Sequence, residues 1–186
     1  MKDNTETTED WFNLIWDRME SAPHRRGDPW RLPSMATVSP EGRPEVRHVV
    51  LRRALRDTRI LEVHSDCASQ KYLSLMTSDA VEFCFWNRRT QTQVRLAGQV
   101  TLYPLEEAQA QWSALSTRAQ SGYRTHPPPG QEIPSRYAYE TSANARFIRL
   151  LCSVDQMDVL RLGVPHHQRM KAHWREGVWQ RQWVSP

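Results

Sequence analysis

Glycine is scarce in this sequence, with 7 among 186 residues. The chain has no glycine-rich phosphate loop and no GxGxxG fingerprint, which disfavours both a P-loop ATPase and a doubly wound dinucleotide-binding oxidoreductase. Serine, histidine and aspartate also do not occur in the motifs of a hydrolase triad. The commonest sequence signatures of nucleotide-dependent and hydrolytic enzymes are therefore missing.

Cysteine is also scarce, with three residues in the chain. Cys67, Cys84 and Cys152 are widely separated and form no CxxC pair, so the sequence predicts neither a disulfide framework nor a structural zinc site. We expect each to be a small buried hydrophobe in a reducing compartment. The segment Met1–Asp10 is polar and acidic and lacks the apolar core of a signal peptide, which favours a cytoplasmic protein.

No stretch approaches 18 apolar residues, so no membrane-spanning helix is predicted. No run of five or six like charges indicates a nucleic-acid-binding tail. The net charge of +4 suits a phosphate-bearing small molecule. With 39% hydrophobic residues, the 186-residue chain is most simply one domain, 1–186, in which residues 1–9 are expected to be flexible.

Alternating apolar and polar residues predict many short strands and few helices. The predicted helices are Trp11–Ser21 (capped by Thr8 or Asp10), Ala68–Met76 (capped by Asp66, with Tyr72, Leu73 and Met76 buried) and Leu105–Gln120. The predicted strands are 34–39, 45–53, 59–65, 80–87, 92–103, 147–153, 157–162, 168–175 and 178–184, with a proline-rich loop at 122–134. This order favours an antiparallel barrel with peripheral helices, and it disfavours a parallel sheet.

One stretch, Arg47–Gly98, concentrates groups suited to an anionic, flat, hydrogen-bonding ligand such as flavin mononucleotide (FMN). Arg47 and Lys71 supply positive charge, while Ser65 and Gln70 can donate hydrogen bonds to a phosphate. The start of the Ala68–Met76 helix would add backbone N–H groups. Ordinary surface cations would show the same spacing, so this pattern alone leaves both interpretations open.

Other candidates lie outside that cluster. The Gln93 amide both donates and accepts hydrogen bonds and could contact a heteroaromatic ring edge, although an isolated strand glutamine more often faces solvent. Trp174 and Trp179 are more simply explained by core or dimer packing. His166 and His167 can titrate near neutral pH, but no nearby carboxylate completes a metal site, and none is predicted.

Four segments in order resemble the pyridoxamine 5′-phosphate oxidase-like, FMN-binding split-barrel family, over roughly residues 33–186. They are Arg47-His48-Val49-Val50-Leu51-Arg52, His64-Ser65-Asp66-Cys67-Ala68-Ser69-Gln70-Lys71, Gln93-Val94-Arg95-Leu96-Ala97-Gly98, and the ending from Arg169 through Trp179 to Pro186. The resemblance implies an antiparallel split β-barrel that is a homodimer with FMN at the subunit interface.

Cofactor roles follow from the resemblance. Arg47, Ser65 and Lys71 would hold the phosphate or ribityl chain, and Gln70 stands where the family has a second phosphate-binding arginine. The backbone around Val49–Leu51 would line the ring, Gln93 would contact its edge, and Arg169 would approach from the other subunit. The cofactor-binding set implied is Arg47, His48, Val49, Val50, Leu51, Arg52, His64, Ser65, Gln70, Lys71, Gln93 and Arg169.

Departures from the family pattern concern the substrate. The oxidase grips its vitamin substrate with an Arg-Leu-His-Asp-Arg run, and here the matching run is Pro165-His166-His167-Gln168-Arg169. Pro165 replaces the substrate-gripping arginine, and Arg52 replaces a substrate-binding lysine. His167 and Arg169 are retained, and they are the candidates for polarising a substrate.

Several functions remain open at this point. The first is an FMN-dependent oxidoreductase that transfers hydride between its flavin and an unidentified small substrate. A true pyridoxamine or pyridoxine 5′-phosphate oxidase is a variant that Pro165 disfavours, because a dianionic substrate would lose a charged contact. A non-catalytic flavin-binding protein and a haem-binding protein are the alternatives from other classes. Neither nucleic acid nor a membrane is an expected partner.

Overall fold

The described chain begins with a helix that covers one side of a sheet. In the computed structural model, which describes residues 6–186, helix α1 spans Thr8–Ser21. Its N-cap is Thr7, so the prediction of Thr8 or Asp10 is wrong. The Thr7 hydroxyl accepts from the Asp10 N–H at 3.1 Å, and the Asp10 carboxylate accepts from the Thr7 N–H at 2.9 Å, which is a capping box. Thr8 and Glu9, expected to be flexible, lie in the first turn, and residues 1–5 lie outside the described residues.

Strands dominate the rest of the described chain, and the prediction of a mainly antiparallel β fold is confirmed. The strands are β1 Ser34–Val38, β2 Pro44–His48, β3 Leu51–Leu55, β4 Ile60–Asp66, β5 Ala80–Asn87, β6 Thr92–Pro104, β7 Thr125–His126, β8 Glu140–Thr141, β9 Phe147–Arg161, β10 Gln168–Arg175 and β11 Val178–Val184. The remaining α-helices are α2 Gln70–Thr77, α3 Gln109–Ser113 and α4 Thr117–Ser121, and short 3-10 helices span Ala22–His24, Pro29–Arg31 and Leu105–Glu107.

The main sheet has two branches that share β9. One branch runs in the order β11-β10-β9-β6-β5-β1-β2, and β4 pairs with both β9 and β3. The first half of β9 pairs with β4 and the second half with β10, while β6 pairs along its length. Among the described strands β2 and β3 do not pair with each other. The barrel is therefore split at this point, and the chain crosses the split at Val49–Val50.

This crossing corrects the prediction of one strand over 45–53. Val49 donates its N–H to the Pro33 carbonyl at 3.0 Å, and β3 then begins a new ladder with β4. No glycine, proline or other turn residue stands at Val49–Val50, so the change of partner leaves no mark in the sequence.

Three other predicted segments were also wrong. The predicted strands 147–153 and 157–162 are one continuous strand, β9. The residues between them stay in the strand because its register with β6 shifts opposite Ala97 and Gly98. The predicted helix 105–120 is a 3-10 turn followed by α3 and α4, since Ser116 caps a new helix by accepting from the Ala119 N–H at 3.3 Å. The predicted loop 122–134 contains β7, which pairs with β8.

The hydrophobic core fills the inside of the barrel and includes the buried face of α1. Five apolar side chains of α1 are buried, namely Trp11, Phe12, Ile15, Trp16 and Met19, and the helix contacts β3 and β11. On α2 the buried residues are Ser74 and Leu75, while Leu73 and Met76, predicted to be buried, are exposed. No helix within residues 6–186 has both the length and the apolar character that crossing a bilayer requires.

Candidate functional site

Two cations from different elements, β2 and the start of α2, lie close enough to influence each other. The Arg47 guanidinium, on β2, donates to the Thr37 hydroxyl at 2.6 Å and to the Glu45 carboxylate at 2.9 Å. The Lys71 ammonium, in the first turn of α2, donates to the Ser65 hydroxyl at 3.1 Å. The charge of Arg47 contributes to lowering the pKa of Lys71, so the two groups are electrostatically coupled.

Lys71 has no carboxylate partner in the part of the chain that the structure describes. Burial is the main reason that its pKa is lowered, and the positive charge of Arg47 adds to the effect, while Asp66 opposes it. A partly buried cation without a counter-ion is unfavourable on its own. An anion placed between Lys71 and Arg47 would remove this cost, so the residues present fit the phosphate of FMN.

Hydroxyl groups and a helix start lie beside these cations and complete a candidate anion site. The Ser65 and Ser69 hydroxyl oxygens are 3.1 Å apart and both residues are buried. Ser69 is the N-cap of α2 but makes no side-chain capping hydrogen bond, so the first backbone N–H groups of the helix remain available to a ligand. Asp66 does not cap α2 as predicted, because its carboxylate accepts from the Ala68 N–H and the Arg146 guanidinium, at 2.8 and 3.0 Å.

Four residues of this site were missed from the sequence: Thr37, Glu45, Ser69 and Ser74. Glu45 accepts from Arg47 and, at 2.9 Å, from the Ser74 hydroxyl. The signal was present in the spacing. Glu45 stands two residues from Arg47 on the same face of a strand, and Ser74 stands three residues from Lys71 on the same face of a helix.

Gln93 and Arg169 lie on a different face of the sheet from Arg47. In the strand register Gln93 is opposite Leu160, and Leu160 is opposite Arg169, so the two polar side chains belong to one cross-strand row. Arg47 is opposite the buried Met35, on the inner face. The structure thus brings Arg47, Ser65 and Lys71 together, and within one subunit it does not add Gln93 or Arg169 to them.

Arg169 is held by an ion pair on the outer face. Its guanidinium donates twice to the Asp158 carboxylate, at 2.9 and 2.7 Å. Although burial raises the pKa of Asp158, the hydrogen bond and charge of Arg169 lower it overall. His167 lies in the connection between β9 and β10, where its Nδ1 accepts the Gly163 N–H at 3.1 Å.

The remaining predicted residues take separate positions. His48 lies on the outer face, with Nδ1 3.5 Å from the Ser34 hydroxyl, and the Gln70 side chain is exposed. His64 points away from the anion site, because its Nε2 is 3.0 Å from the Glu62 carboxylate. Burial would raise the pKa of Glu62, but hydrogen bonds from His64 and Arg149 lower it to about 2.

A cleft of about 340 Å³ lies beside the crossing between β2 and β3. Val50 and Arg52 form one wall, and the opposite wall comes from the Pro29–Arg31 turn and its neighbours, including Leu32. Arg31 and Leu32 were not identified from the sequence, which gives no local motif for them. Among the described residues, no group of three or more histidine, cysteine, aspartate or glutamate side chains is arranged to hold a metal ion.

Comparisons with known proteins define the class. The chain is similar in structure to a pyridoxamine 5′-phosphate oxidase-related, FMN-binding protein from Nostoc punctiforme, with a TM-score of 0.78, 26% identity and coverage of 95% of this chain and 97% of the other. PhzG from Burkholderia lata, crystallised with tetrahydrophenazine-1-carboxylic acid, has a TM-score of 0.75 at 17% identity, covering 99% and 95% of the two chains, and shows the fold alone. The chain therefore has the split-barrel fold of this group.

The family is defined by sequence. The family model described as pyridoxamine 5′-phosphate oxidase, FMN-binding domain, matches residues 8–104, just over half of the chain. The pyridoxine/pyridoxamine 5′-phosphate oxidase of Bradyrhizobium diazoefficiens is 31% identical over 132 residues, 71% of this chain and 57% of that protein. The chain belongs to this FMN-binding family, and the expected cofactor, FMN, is confirmed at that level. It spans about half the length of the curated relatives it matches.

Proposed function

We propose that this protein is an FMN-dependent oxidoreductase that acts on a small molecule. The observation that supports this proposal most directly is the electrostatically coupled pair of cations, Arg47 and Lys71, of which Lys71 has no counter-ion within residues 6–186. A phosphate group bound there would accept charge-assisted hydrogen bonds from both. The hydroxyl of Ser65 and the start of α2 would provide further donors.

When bound, FMN supplies two-electron redox chemistry through hydride transfer at its ring nitrogen N5. The contribution of this chain is to bind and orient the cofactor and to receive the substrate. Val49 and Val50, at the crossing of the split, are proposed to lie along the ring. Arg52 and Arg31, which share the neighbouring cleft, are proposed to hold an anionic group of the substrate in place of the arginine that Pro165 replaces.

The proposed assembly is a homodimer with FMN at the interface. Large apolar side chains are exposed on two parts of the surface: Val46 and Trp86 on the outer sheet face, 67% and 42% exposed, and Leu73 and Met76 on α2, 50% and 63% exposed. Contiguous exposed apolar surface is typical of faces that meet a partner, and the proposed interface would bring these side chains together. In this arrangement Arg169, and His167 near it, would approach the flavin held by the partner subunit.

Oxidation of pyridoxamine or pyridoxine 5′-phosphate is the second candidate. The names of the curated relatives favour it, and Pro165 opposes it because a dianionic substrate would lose one guanidinium contact. A flavin carrier without turnover and a haem-binding protein are the alternatives from other classes. We propose a cytoplasmic location for either enzyme.

The first test is the visible absorption spectrum of the purified protein, with the released cofactor identified by mass. Stoichiometric FMN supports the proposal, whereas a Soret band would indicate haem. The double variant Arg47→Ala/Lys71→Ala is expected to lose FMN while remaining folded, because two charge-assisted contacts are removed. Arg26→Ala/Arg53→Ala is the matched control, since it removes two exposed positive charges away from the site. Wild-type FMN occupancy in the first double variant would refute the assignment of the phosphate site.

Turnover needs a second measurement. Bleaching of the flavin absorbance by NADPH under anaerobic conditions, followed by its recovery on admission of oxygen, would distinguish an oxidoreductase from a carrier. Incubation with pyridoxamine 5′-phosphate and oxygen tests the second candidate directly. A flavoprotein that neither bleaches with NADPH nor oxidises this compound would favour the carrier.

A further inference from the structure

A second cavity, of about 430 Å³, lies where the end of α1 meets the turn between β5 and β6. Four arginines from three segments line it: Arg18 on α1, Arg25 in the following loop, and Arg88 and Arg89 in the turn. This turn is at the opposite end of β5 from the connection to α2. The cavity contains none of the residues assigned to the FMN site.

Hydrogen-bond donors outnumber acceptors among the polar side chains that line this cavity, and one negative charge, that of Asp28, lies among them. Asp28 is the single carboxylate among the lining residues, and its Oδ1 already accepts the Trp30 N–H at 2.9 Å. The Asn87 side-chain oxygen accepts the N–H groups of Arg89 and Thr90, at 3.0 and 3.3 Å, which leaves its NH₂ group as a donor. The Ser21 hydroxyl donates to the Arg18 carbonyl at 3.0 Å.

None of the four guanidinium groups has a carboxylate within 4.0 Å among residues 6–186. By contrast, Arg56, Arg161 and Arg181, which are close to α1, are all paired with acidic residues. Arg25, Arg88 and Arg89 are exposed and Arg18 is half-buried, so solvent screens part of the repulsion among these like charges, and a bound anion would relieve the remainder. Part of the arrangement is fixed, because the Arg18 guanidinium lies 6.0 Å from the centre of the buried Trp30 ring, within the range of a cation–π contact.

We propose that this cavity binds a small molecule that carries a diphosphate group. Each guanidinium can bind phosphate oxygens through two parallel hydrogen bonds, so four of them match two adjacent phosphates better than one. The volume lies within the usual range for small-molecule sites, roughly 300–1,000 Å³. The concave shape favours such a ligand over the extended backbone of a nucleic acid. This assignment does not depend on the proposed flavin chemistry.

The experiment is a calorimetric titration of the full chain with inorganic pyrophosphate, and with inorganic phosphate for comparison. The variant Arg88→Ala/Arg89→Ala keeps the backbone N–H that binds Asn87, so the turn is expected to remain intact. We expect wild type to prefer pyrophosphate over phosphate, and the variant to bind pyrophosphate at least about tenfold more weakly. Arg26→Ala/Arg53→Ala, which loses the same charge outside the cavity, should change the affinity by less than about threefold.

Parallel titrations with ADP and AMP distinguish the source of the diphosphate. Tighter binding of ADP than of pyrophosphate would identify a nucleotide, and equal binding would show that the diphosphate alone is recognised; both outcomes support the proposal. It is overturned if wild type does not bind pyrophosphate, if phosphate binds equally well, or if both double variants lose the same affinity. Tighter binding of a thymidine oligonucleotide than of either diphosphate would also overturn it, in favour of a nucleic-acid surface.

Discussion

Replacing Lys71 with methionine should weaken FMN binding and, without FMN, leave the protein at least as stable as wild type. Methionine keeps a similar unbranched side chain but removes the charge. In the free protein Lys71 donates only to Ser65 among the described residues, and burial together with Arg47 lowers its pKa. The charge therefore opposes folding until an anion is bound.

The expected size of the binding effect follows from one lost contact. A hydrogen bond to a charged group contributes about 1.5–3 kcal/mol, which corresponds to roughly 10- to 150-fold weaker binding. Fluorescence titration with FMN and with riboflavin measures it, because riboflavin lacks the phosphate. Lys71→Met should lose most of the preference for FMN over riboflavin and retain its affinity for riboflavin. The thermal midpoint of the protein freed of FMN should stay equal or rise.

A matched control is Lys171→Met, in which the removed ammonium lies 4.0 Å from the Asp158 carboxylate. Because this cation has a counter-ion, its removal should not raise the midpoint. The reasoning is refuted if Lys71→Met lowers the midpoint of the FMN-free protein clearly below wild type. It is also refuted if the ratio of FMN to riboflavin affinity does not change.

Two further predictions concern stability. The pKa of Glu62 is lowered from 4.5 to about 2 in the folded protein, so its ionised form should contribute about 3 kcal/mol above pH 4.5 and lose this contribution as the pH falls towards 2. Urea unfolding of wild type and Glu62→Gln should therefore differ at pH 7 and converge near pH 2, and an unchanged difference would contradict the assignment. Gly98→Ala should destabilise by about 3 kcal/mol or more, because a Cβ there would overlap the Ser153 carbonyl. Gly122→Ala, where the nearest atom is 3.5 Å away, is the control, and equal denaturation midpoints for these two variants would exclude this steric explanation.

The parts of the fold that sequence predicted best are strands that end at a well-marked turn. The bounds of β5, β10 and β11 were predicted correctly, because alternation continues to a turn, such as Gly177 with its positive φ. The prediction of one helix over 105–120 was wrong because a tertiary contact overrides the local helical pattern. Trp112 packs against Phe147 with ring centres 5.5 Å apart, and this contact is made by a short α3 rather than by a long regular helix.

For the site, the residue types were more predictable than their neighbours. Arg47, Ser65 and Lys71 were predicted to bind an anion together, and the structure brings them close to one another. The role of Glu45 could not be predicted from the sequence, because it depends on the 2.9 Å contact between its carboxylate and the Arg47 guanidinium. Gln93 and Arg47 lie on opposite faces of the sheet because of the registers of the several strand pairs between them. No local sequence pattern predicts those registers.

The shared strand β9 has a consequence for how the protein unfolds. Its first half supplies hydrogen bonds to β4 and its second half to β10, while β6 follows it throughout. If either branch separated, it would leave backbone N–H and C=O groups of β9 unpaired, while β9 would still have to stay in place for the other branch. We therefore expect the two branches to melt as one cooperative unit, with no populated state in which a single branch survives.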